Sequence, residues 1–195
     1  MWEEGHSSFF MGGMLMVLVA WVFRDQTPHQ ANRWFRSLQL LAAAAYSLGH
    51  GGNDAQKTIG IIWLLLITAG AATKDVATLP MWVVYSCYFA IAWGTYLGGW
   101  RIVKTMGTKI TKLNSVSGSC ASMGGALSLG MATLGGIPVS TTHTITGAIV
   151  GVGTAQDVKA VRWAVTLNLL VAWVLTIPAA GLIAAIFWYV GKSFL

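Results

Sequence analysis

Charge is scarce in this chain. Of its 195 residues, 9% are charged and 55% hydrophobic, and the mean hydropathy is +0.65. A soluble domain carries about 25% charged residues, so the composition excludes an ordinary soluble fold and points to an integral membrane protein. Cysteine is also sparse. Cys87 and Cys120 lie in apolar sequence with no other Cys or His at metal spacing, which excludes a disulfide framework or thiolate metal clip and predicts two small buried thiols. The start, Met1-Trp2-Glu3-Glu4, is acidic and lacks the basic region of a cleaved signal peptide. The formal net charge is +6, but the basic residues gather in short gaps between apolar stretches. That is the pattern of cytoplasmic membrane loops, and it implies no nucleic-acid partner.

What the chain does have is apolar sequence in blocks: Phe9 to Phe23, Leu38 to Gly70, Met81 to Val103, Gly118 to Val152 and Trp163 to Val190. A spanning helix needs about 20 residues, so the second and fourth blocks are too long for one straight span. Arg24, Arg33 and Arg36 fill one gap, Arg101, Lys104, Lys109 and Lys112 another, and Lys159 and Arg162 a third, whereas the gap from Thr73 to Leu79 holds only Lys74, offset by Asp75. Taking the three basic gaps as cytoplasmic and the fourth as external satisfies the positive-inside rule. The second block then crosses an odd number of times and the fourth an even number, with both termini outside. The expected fold class is all-α: a polytopic membrane protein with residues 1–195 as a single transmembrane domain. It should contain a broken transmembrane helix in the second block and a helical hairpin in the fourth, whose tip is broken by Gly135, Gly136 and Pro138. Gly94, Gly98, Gly99, Gly124, Gly125, Gly147 and Gly151 are read as close helix-packing positions. Pro178 predicts a kinked or tilted last helix.

Two polar runs interrupt the apolar blocks, from Ser47 to Lys57 and from Pro138 to Thr144. An Asp or Lys at a helix centre costs about 2.5–3.5 kcal/mol on insertion, so such residues mark a polar site or pathway. Asn53, Asp54 and Lys57 fall at helical spacing for one face. Asn53 and Asp54 offer hard oxygen ligands to Na⁺, and the same carboxylate can instead carry a proton. The plainer alternative is that Asp54 and Lys57 neutralise each other and tie two helices together. Ser140, Thr141 and Thr142 follow a proline break and precede an apolar helix, where unpaired N–H groups and the helix dipole favour an oxyanion; simple capping is the plainer alternative. His50 and His143 with Asp54 have the residue types of a two-His, one-carboxylate metal site, but no spacing makes them meet, and no metal is expected. A proton relay through either His is the other role open to them.

At these residues the chain resembles the PiT family of inorganic phosphate transporters. Ala45 to Gly60, containing His50-Gly51-Gly52-Asn53-Asp54-Ala55-Gln56-Lys57, is similar to the second copy of that family's signature, and Gly136 to His143 to its Pro-x-Ser-Thr-Thr-His element; Gly98 to Gly107 also resembles bacterial members. The resemblance implies symport of inorganic phosphate with H⁺ or Na⁺ through two inverted repeats in a cell membrane, here a bacterial inner membrane. It implies no enzyme activity and no organic cofactor. By position, Asn53 and Asp54 would serve the coupling ion, Asn53, Ser140, Thr141 and Thr142 the phosphate, with Gln56, Lys57, His50 and His143 in support. Family members carry two signature copies and this chain one, so it resembles the carboxy-terminal repeat. Its expected partners are phosphate, the cation, the bilayer and an amino-terminal half or second protomer. The competing reading is a non-transporting membrane subunit or degenerate half.

Overall fold

The computed structural model describes residues 2–24, 28–75 and 79–192. Residues 25–27 and 76–78, within the gaps read above as cytoplasmic and external, lie outside the described residues, as do Met1 and residues 193–195. So do the side chains of residues 2–4, 28–33 and Arg101. Among the described residues six α-helices follow in order: α1 (Trp2–Val22), α2 (Pro28–Thr68), α3 (Met81–Thr105), α4 (Ser115–Leu134), α5 (Thr141–Gln156) and α6 (Trp163–Lys192), with a π-helical turn at Met106–Ile110 and a 3-10 turn at Val158–Ala160. No strand occurs among the described residues. The all-helical reading stands, and α4 and α5 form the expected hairpin.

One feature departs from expectation. The polar run from Ser47 to Lys57 does not break its helix: α2 continues for 41 residues, about 60 Å at 1.5 Å per residue. The physical reason lies in the run's composition. It contains no proline, and a helix-interior glycine costs only about 1 kcal/mol. An unbroken helix also keeps every backbone group paired where lipid offers no alternative. The polar side chains are thus carried on a continuous rod.

The hairpin tip does break, and for identifiable reasons. The Gly136 N–H donates to Thr133 O at 3.1 Å and the Ile137 N–H to Ala132 O at 2.9 Å, with Gly136 at φ +66°. This pair of bonds closes α4 as a Schellman motif, which requires a left-handed residue that glycine supplies. Pro138 then prevents the helix from resuming before Ser140. At its other end α4 starts on a capping box in which Asn114 and Ser117 serve each other's backbone N–H groups.

The chain separates into two compact units, residues 1–161 and 162–195. In the first, α1 packs against both α4 and α5, α2 lies along α4, and α3 lies along α2. Glycine sets the close approach of α1. A Cβ on Gly124 would stand 2.9 Å from the Gly12 backbone, one on Gly12 2.7 Å from Ala148 O, and one on Gly147 2.6 Å from Gly5 O. Gly151 meets Phe9 O in the same way. Gly94 and Gly98 of α3, read above as packing positions, instead face open space, and a Cβ on Gly99 would touch only Thr95 of its own helix. α3 contacts α2 on another face, where Val83 and Cys87 bury against Ala55 and Ile59. It turns Trp82, Tyr85, Phe89, Trp93, Tyr96 and Trp100 outward. Both cysteines are buried free thiols, as expected.

The second unit is α6, a 30-residue apolar helix that runs on through Pro178. Among the described residues two helices, α1 and α6, are long and apolar enough to cross a membrane.

Candidate functional site

The site lies where α2 meets the α4–α5 hairpin tip. Tyr46, His50, Asp54 and Lys57 succeed one another on α2 at intervals of four, four and three residues, the spacing of a single helix face. Opposite them are Val139 and Thr141, on either side of Ser140.

Asp54 is the hub. Its Oδ2 accepts from the Thr141 hydroxyl at 3.2 Å, and its Oδ1 accepts from Lys57 Nζ at 3.3 Å. His50 Nδ1 lies 3.2 Å from Oδ2, yet Nδ1 has no aligned hydrogen-bond partner. We take this as a close electrostatic contact rather than a hydrogen bond, because direction and distance must both be met. Lys57 Nζ also donates to the carbonyl of Val139, and the Tyr46 hydroxyl donates to the carbonyl of Thr141 at 2.6 Å. The Tyr46 and His50 rings are stacked, 6.4 Å apart and 8° from parallel.

The residues expected from the sequence are partly assembled here. Asp54, Lys57, His50 and Thr141 converge. Asn53 is buried, at 6% exposure, one turn along α2 from Gly49, which lies against Leu129 of α4. Ser140 is the N-cap of α5, its Oγ accepting from the His143 N–H at 3.4 Å. Thr142 is exposed, since each helical residue turns about 100° from the last and the three hydroxyls cannot share one direction. Gln56, two residues beyond Asp54, is likewise exposed and lies on a different face from the cluster. Among the described residues no three His, Cys, Asp or Glu side chains gather as a metal group, so His50, His143 and Asp54 do not form one.

Two participants escaped the sequence reading. The carbonyl of Val139 carries no side-chain signal at all. Tyr46 did leave one: it stands eight residues before Asp54 and four before His50 on the same face.

Chemically, the cluster combines one carboxylate, one ammonium, one imidazole and one buried hydroxyl with the amino terminus of a 16-residue helix. Such a terminus presents unpaired N–H groups and positive dipole character. The site therefore offers an oxygen ligand for a cation beside donors for an anion.

The fold and this cluster define an all-helical membrane protein with a polar site between a long helix and a hairpin tip. The sequence matches the Phosphate transporter family over residues 5–184, and the chain belongs to that family. It is 56% identical over 181 residues to the "Probable low-affinity inorganic phosphate transporter" of Rhizobium meliloti (strain 1021), covering 93% of this chain and 54% of that protein. With the protein of the same name from Bacillus subtilis (strain 168) it shares 40% over 183 residues, covering 94% and 55%. It is 35% identical over 164 residues to "Sodium-dependent phosphate transporter 1-A" of Xenopus laevis, covering 83% and 24%. A solved structure of "The sodium-dependent phosphate transporter" superimposes with a TM-score of 0.67 at 28% identity, covering 78% of this chain and 39% of that chain. The chain spans about half the length of the two bacterial relatives.

Proposed function

We propose that this chain is one half of a secondary symporter that carries inorganic phosphate with Na⁺ or H⁺ across a bacterial inner membrane. Phosphate sits at the amino terminus of α5, held by Ser140, Thr141 and Thr142, with Asn53 of α2 as a further ligand. Asp54 takes the coupling cation with Asn53, while Lys57 and His50 sit beside it and His143 and Gln56 lie further out. The observation that carries this reading is the hydrogen bond from the Thr141 hydroxyl to Asp54 Oδ2, 3.2 Å long and 87 residues apart in sequence. It couples the anion side of the site to the cation side through one proton donor.

Coupling follows from charge balance. A bare phosphate is far too costly to move through a low-dielectric medium. Asp54 is already engaged by Lys57 and Thr141, so a cation arriving at the carboxylate displaces one of them. The released ammonium or hydroxyl is then available to the anion. Occupancy of each site thereby favours occupancy of the other.

The relatives' names support phosphate as substrate, and two of them name sodium. A second reading, a membrane subunit that does not itself transport, is favoured by the tie that Lys57 makes between α2 and the hairpin. The deciding experiment is uptake of inorganic phosphate into proteoliposomes, with the chain alone and with any partner half encoded beside it, under Na⁺ and proton gradients. Gradient-dependent uptake that falls at least about tenfold in Asp54→Asn supports the symporter, a loss equivalent to about 1.4 kcal/mol. Unchanged uptake in that variant removes Asp54 from the mechanism.

A further inference from the structure

The hairpin tip is tied to α2 at two main-chain carbonyls flanking Ser140. Lys57 reaches the carbonyl of Val139, and Tyr46 reaches that of Thr141 at 2.6 Å. The two donors are 11 residues apart on α2, about 16 Å along its axis, and they converge on the tip from its two sides. Both target backbone, so the tie holds the chain path of the tip whatever its side chains do.

Of the two, Tyr46 acts on the residue that touches Asp54. Its ring is placed independently of its hydroxyl: a Cβ on Gly125 of α4 would stand 3.0 and 3.1 Å from ring carbons, and the His50 ring lies nearly parallel to it, 6.4 Å away. A phenol held this firmly delivers its O–H to one place. Thr141 opens α5, and its carbonyl is a first-turn acceptor with an intrahelical partner available in any case. The Tyr46 bond is therefore not needed to complete the helix. Its effect is to set where α5 begins and how it is rotated.

Resting on the phosphate reading above, we propose that Tyr46 is a positioning residue whose hydroxyl seats the start of α5 on α2, so that the Thr141 hydroxyl meets Asp54 and the helix amino terminus faces the anion. Tyr46 itself makes no contact with phosphate. Gly125 is part of the device, because a side chain there would push the ring out of line.

The test uses Tyr46→Phe in the full chain reconstituted in nanodiscs. Phe keeps the ring against Gly125 and His50, removes only the O–H and strands no buried acceptor, so the variant folds, with a melting temperature lowered by no more than one neutral hydrogen bond accounts for. Hydrogen exchange at the amides of residues 140–145 is expected to rise several-fold, and the affinity for inorganic phosphate to fall roughly 3- to 10-fold, the range of one lost neutral hydrogen bond. Thr141→Val is expected to add little further loss in the Tyr46→Phe background, because the two act in series. Tip exchange equal to that of the parent overturns the proposal. A melting temperature lowered by more than one hydrogen bond accounts for, with a proportionate loss of all binding, overturns it too, by making Tyr46 merely structural. Should the parent chain, with its partner half where one exists, bind no phosphate, the phosphate reading fails, and the tip exchange in Tyr46→Phe still decides whether Tyr46 seats α5.

Discussion

Thr141 and Asp54 meet through one hydrogen bond, hydroxyl to Oδ2 at 3.2 Å, although one opens α5 and the other lies well inside α2. Thr141 is buried at 4% exposure, whereas the Asp54 side chain is 32% exposed. The hydroxyl is thus enclosed and the carboxylate accessible from one side, which suits a site that receives an ion at the carboxylate.

Asp54→Asn preserves shape and leaves an oxygen for Thr141 while removing the charge. We expect the protein to fold and to lose the dependence of phosphate uptake on the cation gradient, with uptake down at least about tenfold. Initial rates with and without an imposed Na⁺ or proton gradient measure this directly.

Thr141 and Thr142 are neighbours with opposite expected behaviour. Thr141→Val keeps the volume and removes the donor to Asp54, which should lower stability by about 1 kcal/mol and weaken phosphate binding, while Thr141→Ser should retain both. Thr142 is exposed, so Thr142→Ala should alter stability by no more than about 0.5 kcal/mol. A fall in phosphate affinity in Thr142→Ala would then report a lost contact with the anion and not a disturbed fold. Thermal unfolding in detergent, with and without phosphate, separates the two effects.

Lys57 and Asp54 form a pair whose side chains are 38% and 32% exposed, so their mutual stabilisation is modest. A double-mutant cycle with Lys57→Met and Asp54→Asn is expected to give a coupling of about 0.5–1 kcal/mol. Lys57→Met alone should be the more damaging single change, since it also removes the donor to the Val139 carbonyl. Additive effects in the cycle would mean that the two side chains do not interact in the membrane.

The glycines separate by position. Gly151→Leu should force α1 away from α5 and destabilise the protein by more than about 2 kcal/mol, because the obstacle is the Phe9 backbone and cannot turn aside. Gly94→Ala meets nothing within 4 Å and should be neutral or stabilising by up to about 1 kcal/mol through helix propensity. Expression level and melting temperature of the two variants provide the check.

Much of this molecule was legible from composition and spacing. Apolar blocks and scarce charge indicate membrane helices, because lipid admits few other side chains. The Gly135, Gly136 and Pro138 cluster marks a hairpin tip because a left-handed residue and a missing N–H leave a helix no continuation. The continuity of α2 has an equally local origin: polar residues and glycines predict a break, but an uninterrupted backbone ladder is worth more at membrane depth than the propensity lost at Gly49, Gly51 and Gly52. Gly94 and Gly98 of α3 fall at packing spacing yet face open space, since spacing alone does not reveal which face of a helix meets a neighbour.

By itself, the sequence determined which groups are present and which share a helix face: Tyr46, His50, Asp54 and Lys57 along one stripe, Ser140 and Thr141 at a helix start. Those are consequences of residue type and of 3.6 residues per turn, which act locally. Only the tertiary structure decided that the stripe meets that helix start, that Thr141 turns inward while Thr142 turns out, and that two backbone carbonyls receive Tyr46 and Lys57. Contacts between residues more than 80 positions apart depend on how α1, α2, α4 and α5 pack together, and that packing follows from the shapes of whole helices, which no single stretch of sequence contains.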